Sequence, residues 1–257
     1  MSEEAAVLTE TRGKVLLITL NRPDAMNAVN GELAQGLADA VDELDNNPEL
    51  SCAVLTGNGR GFCAGMDLKA FVQGDFPHIE GRGFAGITQQ APKKPIVAAV
   101  EGFALAGGLE VALSCDLIVA SEGAKFGIPE AGVGLYAAAG GVFRLPRVLP
   151  YAVAMKMALT AQPITAEEAM GHGLVVEVTP KGGAVDAAIA LAEQIAKNAP
   201  LSLMASKAVI RESKGLTEEE CWAYQQEHWH ELVFKSQDGI EGATAFAEKR
   251  EPNWQGK

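Results

Sequence analysis

Two kinds of group capable of chemistry meet in one short stretch, Gly102-Phe-Ala-Leu-Ala-Gly-Gly-Leu-Glu110. Gly107 and Gly108 mark a helix start, where backbone N–H groups lack intrahelical acceptors and point at whatever stands in front of them. One turn inside, Glu110 is a single carboxylate among apolar neighbours. A site that needs N–H donors and a carboxylate together, to hold developing negative charge and to move a proton, could be built here. A second carboxylate, Glu130, follows a proline in Lys125-Phe-Gly-Ile-Pro-Glu130, at another turn or helix start. Taken alone, either glutamate also fits a plainer role, a first-turn carboxylate favoured by the helix dipole.

Other chemistries find no matching pattern. Cys52, Cys63, Cys115 and Cys221 form no C-x-x-C pair, and His78, His172, His228 and His230 offer no metal-ligand spacing. No metal site is expected. Cys63 has no histidine in its motif and reads as a small buried residue rather than a nucleophile. Gly57-Asn-Gly-Arg-Gly61 lacks the spacing and the lysine of a phosphate loop and reads as a turn. Asp67 reads as a helix-start cap or turn residue, and Asp116 as a structural group bonded to nearby backbone.

Alternating strands and helices must position these groups. Lys14–Leu20 and Cys52–Thr56 read as strands, and Pro95–Val100 as a buried strand leading into the glycine-opened helix. Leu33, Leu37, Val41 and Leu44 fall at helical spacing behind Asn30, a plausible cap. Ala64–Lys69 could open another helix. The stretch from Gln73 to Gln90, with its glycines and no clear period, reads as a mobile, variable loop with at most one helical turn. Leu117–Ala120, Lys125–Ile128 and Val175–Val178 are short strands, and Thr165-Ala-Glu-Glu opens a helix with a capping box. From Ala184 onward the pattern is helical, with breaks at Pro200, Gly215 and Asp238-Gly239. The fold class is therefore α/β, with a core over residues 1–195 and a C-terminal helical region over 196–257 whose apolar stripes need a partner surface.

The chain has 257 residues, 48% of them hydrophobic, and a net charge of −12. That balance argues against nucleic acid or an anionic membrane as partner, since both attract a positive field. It does not exclude an anionic small molecule held by a few local cations. The N-terminus shows no secretory signal, and no apolar run approaches the roughly 20 residues a membrane helix needs. A cytoplasmic protein with reduced thiols is expected.

Five stretches, in order and spread from end to end, resemble the crotonase, or enoyl-CoA hydratase/isomerase, superfamily. They are Asn21-Arg-Pro-Asp-Ala-Met-Asn-Ala28, Arg60-Gly-Phe-Cys-Ala-Gly-Met-Asp-Leu-Lys69, Gly102–Glu110, Lys125–Glu130 and Glu241-Gly-Ala-Thr-Ala-Phe-Ala-Glu-Lys-Arg250. The resemblance implies a spiral of ββα units with a C-terminal helical region that builds homotrimers, usually paired into hexamers. It implies an acyl-CoA thioester substrate and no cofactor, coenzyme A being part of the substrate. An oxyanion hole of two backbone N–H groups maps onto Met66 and Gly107, with Gly65 and Gly108 small enough to let the ligand approach.

Hydratases of this family carry two glutamates, and both stand here as Glu110 and Glu130. Double-bond isomerases usually keep only the second. The resemblance therefore implies a reversible hydratase of trans-2-enoyl-CoA, with Glu110 activating the water and Glu130 protonating the α carbon, labels that exchange readily in a coupled pair. The alternatives are an isomerase, a carnitinyl-CoA dehydratase-like enzyme, or a non-catalytic acyl-CoA-binding protein. Ala25, Ala64, Asp67 and Leu68 lie in segments that line the coenzyme A in relatives, with Pro129 beside the second glutamate. Lys69 and Lys249 are the implied phosphate cations, with Arg22 a weaker third. After Glu130 the run Gly134-Leu-Tyr-Ala-Ala-Ala-Gly-Gly-Val-Phe-Arg-Leu145 departs from the common hydratase pattern and resembles the branch that contains carnitinyl-CoA dehydratase-like enzymes and several bacterial hydratase paralogues. Tyr136 is accordingly a candidate pocket residue. Phe71, Phe76 and Phe84 are candidates to shape the acyl pocket.

Overall fold

The computed structural model describes residues 5–257. Val7–Arg12 (β1) and Val15–Leu20 (β2) pair antiparallel. Cys52–Gly57 (β3) adds in parallel to β2. His78–Ile79 (β4) and Gly83–Phe84 (β5) form a separate small hairpin. Then follow Ile96–Val100 (β6), Phe103–Leu105 (β7), Leu117–Ser121 (β8), Lys125–Gly127 (β9), Ile164–Thr165 (β10) and Glu177–Thr179 (β11). The main sheet has six strands in the order β1-β2-β3-β6-β8-β11, and a second sheet of three runs β10-β9-β7. Each turn of the chain thus contributes a strand to the large sheet and often a second, shorter one to the small sheet.

The central strands are buried on both faces, which is why they read as near-continuous apolar runs. Leu16, Ile18, Leu55, Ile96 and Ala98 belong to one apolar cluster with the helix Gly31–Asn46 (α1). Val15, Leu17, Val54, Val97 and Ala99 belong to another. That second face is covered by Ala184–Ala196 (α7) through Ala188, Ile189 and Ala192. Helix α1 starts where its cap demands: the Asn30 side chain accepts the Leu33 N–H at 3.0 Å. Its fully buried leucines, Leu33, Leu37 and Leu44, each contribute about 1.5–3 kcal/mol of transfer free energy. Helix α7 is pinned at its start by Glu101, whose carboxylate accepts the Gly182 and Ala184 N–H groups.

Between these come Leu68–Val72 (α2), Gly107–Ala112 (α3), Gly141–Arg144 (α4), Tyr151–Thr160 (α5) and Ala166–Gly171 (α6). Thr165 and Glu168 complete a reciprocal capping box at α6. Beyond α7 the chain is helical: Pro200–Glu212 (α8), Glu218–Gln225 (α9), Glu231–Phe234 (α10) and Gln237–Glu248 (α11), with a π-helical stretch, Gln226–His230, joining α9 to α10. Helix α8 is tied to the sheet by a network at Asp116. This carboxylate accepts the Ile96 N–H at 2.9 Å and pairs with Lys207 at 2.7 Å and Arg211 at 3.0 Å.

Three expectations need correction. Residues 73–90 are not a loose loop: they hold the β4–β5 hairpin, and Ala85, Ile87 and Thr88 are buried in the core. Two of their glycines serve close packing: at Gly86 a side chain would strike Ala34 and Ala38 of α1, and at Gly83 it would strike Thr88 and Gln89. The buried strand does not lead straight into the glycine-opened helix, because Phe103–Leu105 is first a strand of the small sheet. The last strand sits at Glu177–Thr179, two residues later than the apolar pattern places it at its start.

Candidate active site

The backbone half of the site is assembled by strand pairing. Cys63 bridges to Ala104 in the manner of a parallel strand, and Met66 bridges to Val29. The Cys63 carbonyl accepts the Leu105 N–H at 3.0 Å. The Gly65 carbonyl accepts from Val29 at 2.8 Å, and Asp67 N–H donates to Val29 at 2.9 Å. These bonds leave Met66 between two anchored neighbours. Among the described residues, neither the Met66 nor the Gly107 N–H donates to a protein acceptor.

The two donors are brought close by residues with little or no side chain. Gly65 has φ +106°, and a Cβ there would lie 2.7 Å from Ala106 Cβ and 3.1 Å from Gly107 N. At Gly108 a Cβ would run into the Cys63 carbonyl oxygen. The turn from β7 into α3 is made at Ala106, with φ 52° and ψ −131°, a conformation that L residues rarely adopt. It turns the chain out of the small sheet, where the Ala106 N–H is held by the Gly127 carbonyl at 2.9 Å, into the helix that Gly107 opens.

Directly after Met66, Asp67 caps α2, accepting the Lys69 and Ala70 N–H groups. Its other oxygen pairs with Arg22 at 3.0 Å, and Arg22 also donates to the Ala28 carbonyl. Arg22 is therefore engaged in fixing the 21–28 segment against α2. Buried Asn27 completes that join, donating to the Asn58 and Gly61 carbonyls at 2.9 Å. Ala64 N–H donates to Met26, so the turn carrying half-buried Ala25 lies against the segment carrying Ala64.

The second half is made of side chains. Glu110 is only 3% exposed, and its Oε1 accepts the Gly141 N–H at 2.8 Å. Burial pushes its carboxyl up to about 7, against the pull of the Gly141 N–H, with the like charge of Glu130 adding to the rise. The Ala139 N–H and the Arg144 guanidinium lower it. Glu130, in the 3-10 turn Pro129–Val133, is also raised, chiefly by burial. Its Oε2 is buried with no hydrogen-bond partner among the described residues. Two carboxyls that are both raised by burial, and of which Glu110 feels the charge of Glu130, keep a proton more readily than solvated carboxylates do. Such a pair can take a proton from one reactant and deliver one to another.

The remaining expected residues divide. Lys69 and Leu68 are exposed on α2, close in sequence to Met66. Tyr136 is 68% exposed in the segment between Pro129 and Gly141, which also holds Leu135 open to solvent. Lys249 caps the end of α11 in the C-terminal region, and no hydrogen bond or ion pair among the described residues ties it to either glutamate. Of the aromatics, Phe84 abuts the cradle, since a Cβ at Gly107 would lie 2.6 Å from its ring. Phe71 and Phe76 meet in a tilted pair at 5.9 Å, and Phe76 stacks on His78 at 6.0 Å, at the end of α2. Cys63 is fully buried and its thiol is pushed up to about 12 by burial, which removes it as a nucleophile at neutral pH.

Gly141, Ser114 and Arg144 were not singled out from the sequence, yet they surround Glu110. A Cβ at Gly141 would lie 3.2 Å from Glu110 Oε1 and 2.8 Å from Ala137 Cβ. The only local sign of this role is the Gly140-Gly141 pair, which also serves as an ordinary helix start.

The enoyl-CoA hydratase/isomerase family model matches residues 10–257. The chain belongs to this family. It is 42% identical to the enoyl-CoA hydratase EchA19 of Mycobacterium tuberculosis, over 97% of this chain and 96% of that protein. It is 39% identical to the carnitinyl-CoA dehydratase of Proteus mirabilis, over 96% and 97% respectively. A crystal structure of an enoyl-CoA hydratase from Mycobacterium tuberculosis superposes with a TM-score of 0.95 at 52% identity, covering 99% of this chain and all of that one. A carnitinyl-CoA hydratase from Mycobacterium avium superposes at 0.78 with 46% identity, with coverage of 99% and 100%. The α/β spiral expected from the family is thus the fold of this chain.

Proposed function

We propose that the protein is an enoyl-CoA hydratase that adds water reversibly to a trans-2-enoyl-CoA thioester. The observation that carries this reading is the pair of buried, proton-retaining carboxyls, Glu110 and Glu130, standing by a glycine-packed cradle with two free N–H donors. In the forward direction Glu110 takes a proton from water as the hydroxyl oxygen bonds to the β carbon. The C=C electrons move toward the thioester carbonyl, and Glu130 delivers a proton to the α carbon. Met66 and Gly107 N–H donate to the carbonyl oxygen, whose charge grows in the transition state. Such donors lower the barrier because they meet the enolate better than the ground state.

The division of labour follows from the hydrogen bonds. An anionic carboxylate is supported by the Gly141 N–H at Glu110, whereas the unpartnered Oε2 of Glu130 suits a neutral acid. Both carboxyls are raised by burial, so in the free enzyme the proton can reside on either member and the two titrate as a pair. The reaction calls for no cofactor beyond the coenzyme A carried on the substrate. Lys69, and Lys249 from this or a neighbouring subunit, are proposed to meet its phosphates. Ala25, Ala64, Asp67 and Leu68 are proposed to line it.

A second reading is favoured by the carnitinyl-CoA dehydratase relatives and by the 134–145 segment, which bears exposed Leu135 and Tyr136 beside the glutamates. It is the same chemistry on a special hydroxyacyl-CoA run toward dehydration. A panel of crotonyl-, longer 2-enoyl-, 3-enoyl- and carnitinyl-CoA thioesters separates these outcomes. Loss of conjugated-thioester absorbance with 2-enoyl-CoA supports the hydratase. Turnover of the 3-enoyl thioester alone contradicts it.

We further propose a homotrimer or a hexamer of paired trimers, with residues 1–195 as the catalytic core and 196–257 as the assembly region. Trp222, Leu232, Phe234, Ile240 and Phe246 are exposed large apolar residues on that region, more than a solvated tail retains without a partner. Light scattering at the monomer mass would overturn the assembly. A cytoplasmic location accords with four free cysteines and with the lack, among the described residues, of any helix long and apolar enough to cross a membrane.

A further inference from the structure

Helix α4 has only four residues, Gly141–Arg144, too few to hold its own shape, yet its first N–H is the one bonded to Glu110. Its last residue supplies what the helix lacks. Half-buried Arg144 donates from Nη1 to Ser114 Oγ at 3.0 Å and from Nη2 to the Thr88 carbonyl. Ser114 is fully buried, and its hydroxyl donates to the Glu110 carbonyl at 2.8 Å. One guanidinium therefore joins α4, the end of the helix bearing Glu110, and the buried segment behind β5. The cation is itself disfavoured by burial and by the nearby charges of Arg211 and Arg147. It shares the Phe143 ring with Arg147 at 5.6 and 5.5 Å.

We infer that Arg144 is a positioning residue for Glu110: through Ser114 and α4 it fixes where the carboxylate points, and its charge stands opposite that of the carboxylate. The inference rests on the reading of Glu110 as the base that activates water. Lysine keeps the charge but cannot make two bonds in a fork, so charge and geometry can be separated. The groups facing Glu110 are Glu130 from the 3-10 turn, the Ala139 and Gly141 N–H groups, and Arg144 itself. Of these, Arg144 is the cation. Its removal lets the Glu110 carboxyl rise further, so the basic form appears at higher pH and the acidic limb of kcat moves up.

The test compares kcat, KM and the pH profile of kcat for the wild-type enzyme and the variants Arg144→Gln, Arg144→Lys and Ser114→Ala, with Glu110→Gln as control. Arg144→Gln should lower kcat by about 10- to 100-fold with KM changed less than about threefold, and shift the acidic limb upward. Arg144→Lys should lower kcat less and leave the limb in place. Ser114→Ala should lower kcat about three- to tenfold, again without moving the limb. Wild-type kcat and an unmoved limb in Arg144→Gln would overturn the inference. If Arg144→Gln does not fold, Ser114→Ala at wild-type kcat would overturn it. Full activity in Glu110→Gln would instead remove the assignment of Glu110, a separate failure.

Discussion

At the N-terminal end of α3 the site is made of backbone. Its proposed donors are the Met66 and Gly107 N–H groups, and their spacing is set by β7, by the Cys63–Ala104 bridge and by glycines that allow no side chain. One turn further on it is made of side chains. Glu110 and Glu130 owe their chemistry to burial, to each other, and to N–H and guanidinium partners on a four-residue helix. The first region is fixed by the fold itself and is indifferent to the identity of a residue such as Met66. The second is poised: its proton affinities depend on a few contacts that single substitutions can remove. The contrast separates holding an oxyanion from moving a proton, and it predicts different sensitivities in the two regions.

Among substitutions that leave both carboxyls in place, the largest effect should come from the backbone end, at Gly108→Ala. Its Cβ would meet the Cys63 carbonyl, a backbone group that cannot swing aside, so the two donors must separate. We expect kcat to fall by about 10²–10³, the value of one oxyanion donor, with a lowered Tm. An unchanged kcat would show that the spacing of these donors does not matter. At the carboxylate end, Gly141→Ala places a methyl group against Glu110 Oε1 and Ala137. A fall in kcat of about 10-fold or more is expected, with KM nearly constant, because the misplacement concerns the transition state.

The pH dependence distinguishes the regions without steric change. Glu110 is held up to about 7 first by burial and in part by the like charge of Glu130. As a base it must be ionised, so kcat should fall as pH drops through that range. In Glu130→Gln the like charge is gone, the Glu110 carboxyl titrates lower, and a carboxyl infrared titration should show the shift downward. An upward shift would mean that the two carboxyls do not interact as described. The smallest effect belongs to Met66→Leu. Only the main chain of this residue is invoked, and kcat should stay within about threefold.

Local rules were legible in the sequence. The Asn30 cap, the Thr165–Glu168 capping box and the buried strands from Val15, Cys52 and Ile96 all lie where short-range patterns place them. Asp67 and Asp116 were readable as a cap and a backbone acceptor for the same reason. Strand β1 was not legible, because Val7-Leu-Thr-Glu-Thr-Arg12 is an edge strand with mostly exposed residues and no buried alternation. The 73–90 segment reads as a loop because glycines that serve close packing, Gly83 and Gly86, look like the open-space turn glycines Gly74 and Gly81 beside them. At the site, the motif residues carried the resemblance, but Gly141 and Arg144 reach Glu110 and Ser114 across about 30 residues of intervening chain. No local pattern encodes a contact made only when α4 folds back onto α3.

The central claim is that two carboxyls over a backbone cradle hydrate a 2-enoyl thioester. It is tested most directly by following the conjugated-thioester absorbance of a trans-2-enoyl-CoA with wild-type enzyme, Glu110→Gln and Glu130→Gln. Turnover by the wild type, with kcat lowered by about 10²–10⁴ in each variant and thioester binding nearly intact, is the predicted result. Wild-type kcat in either variant would contradict the account.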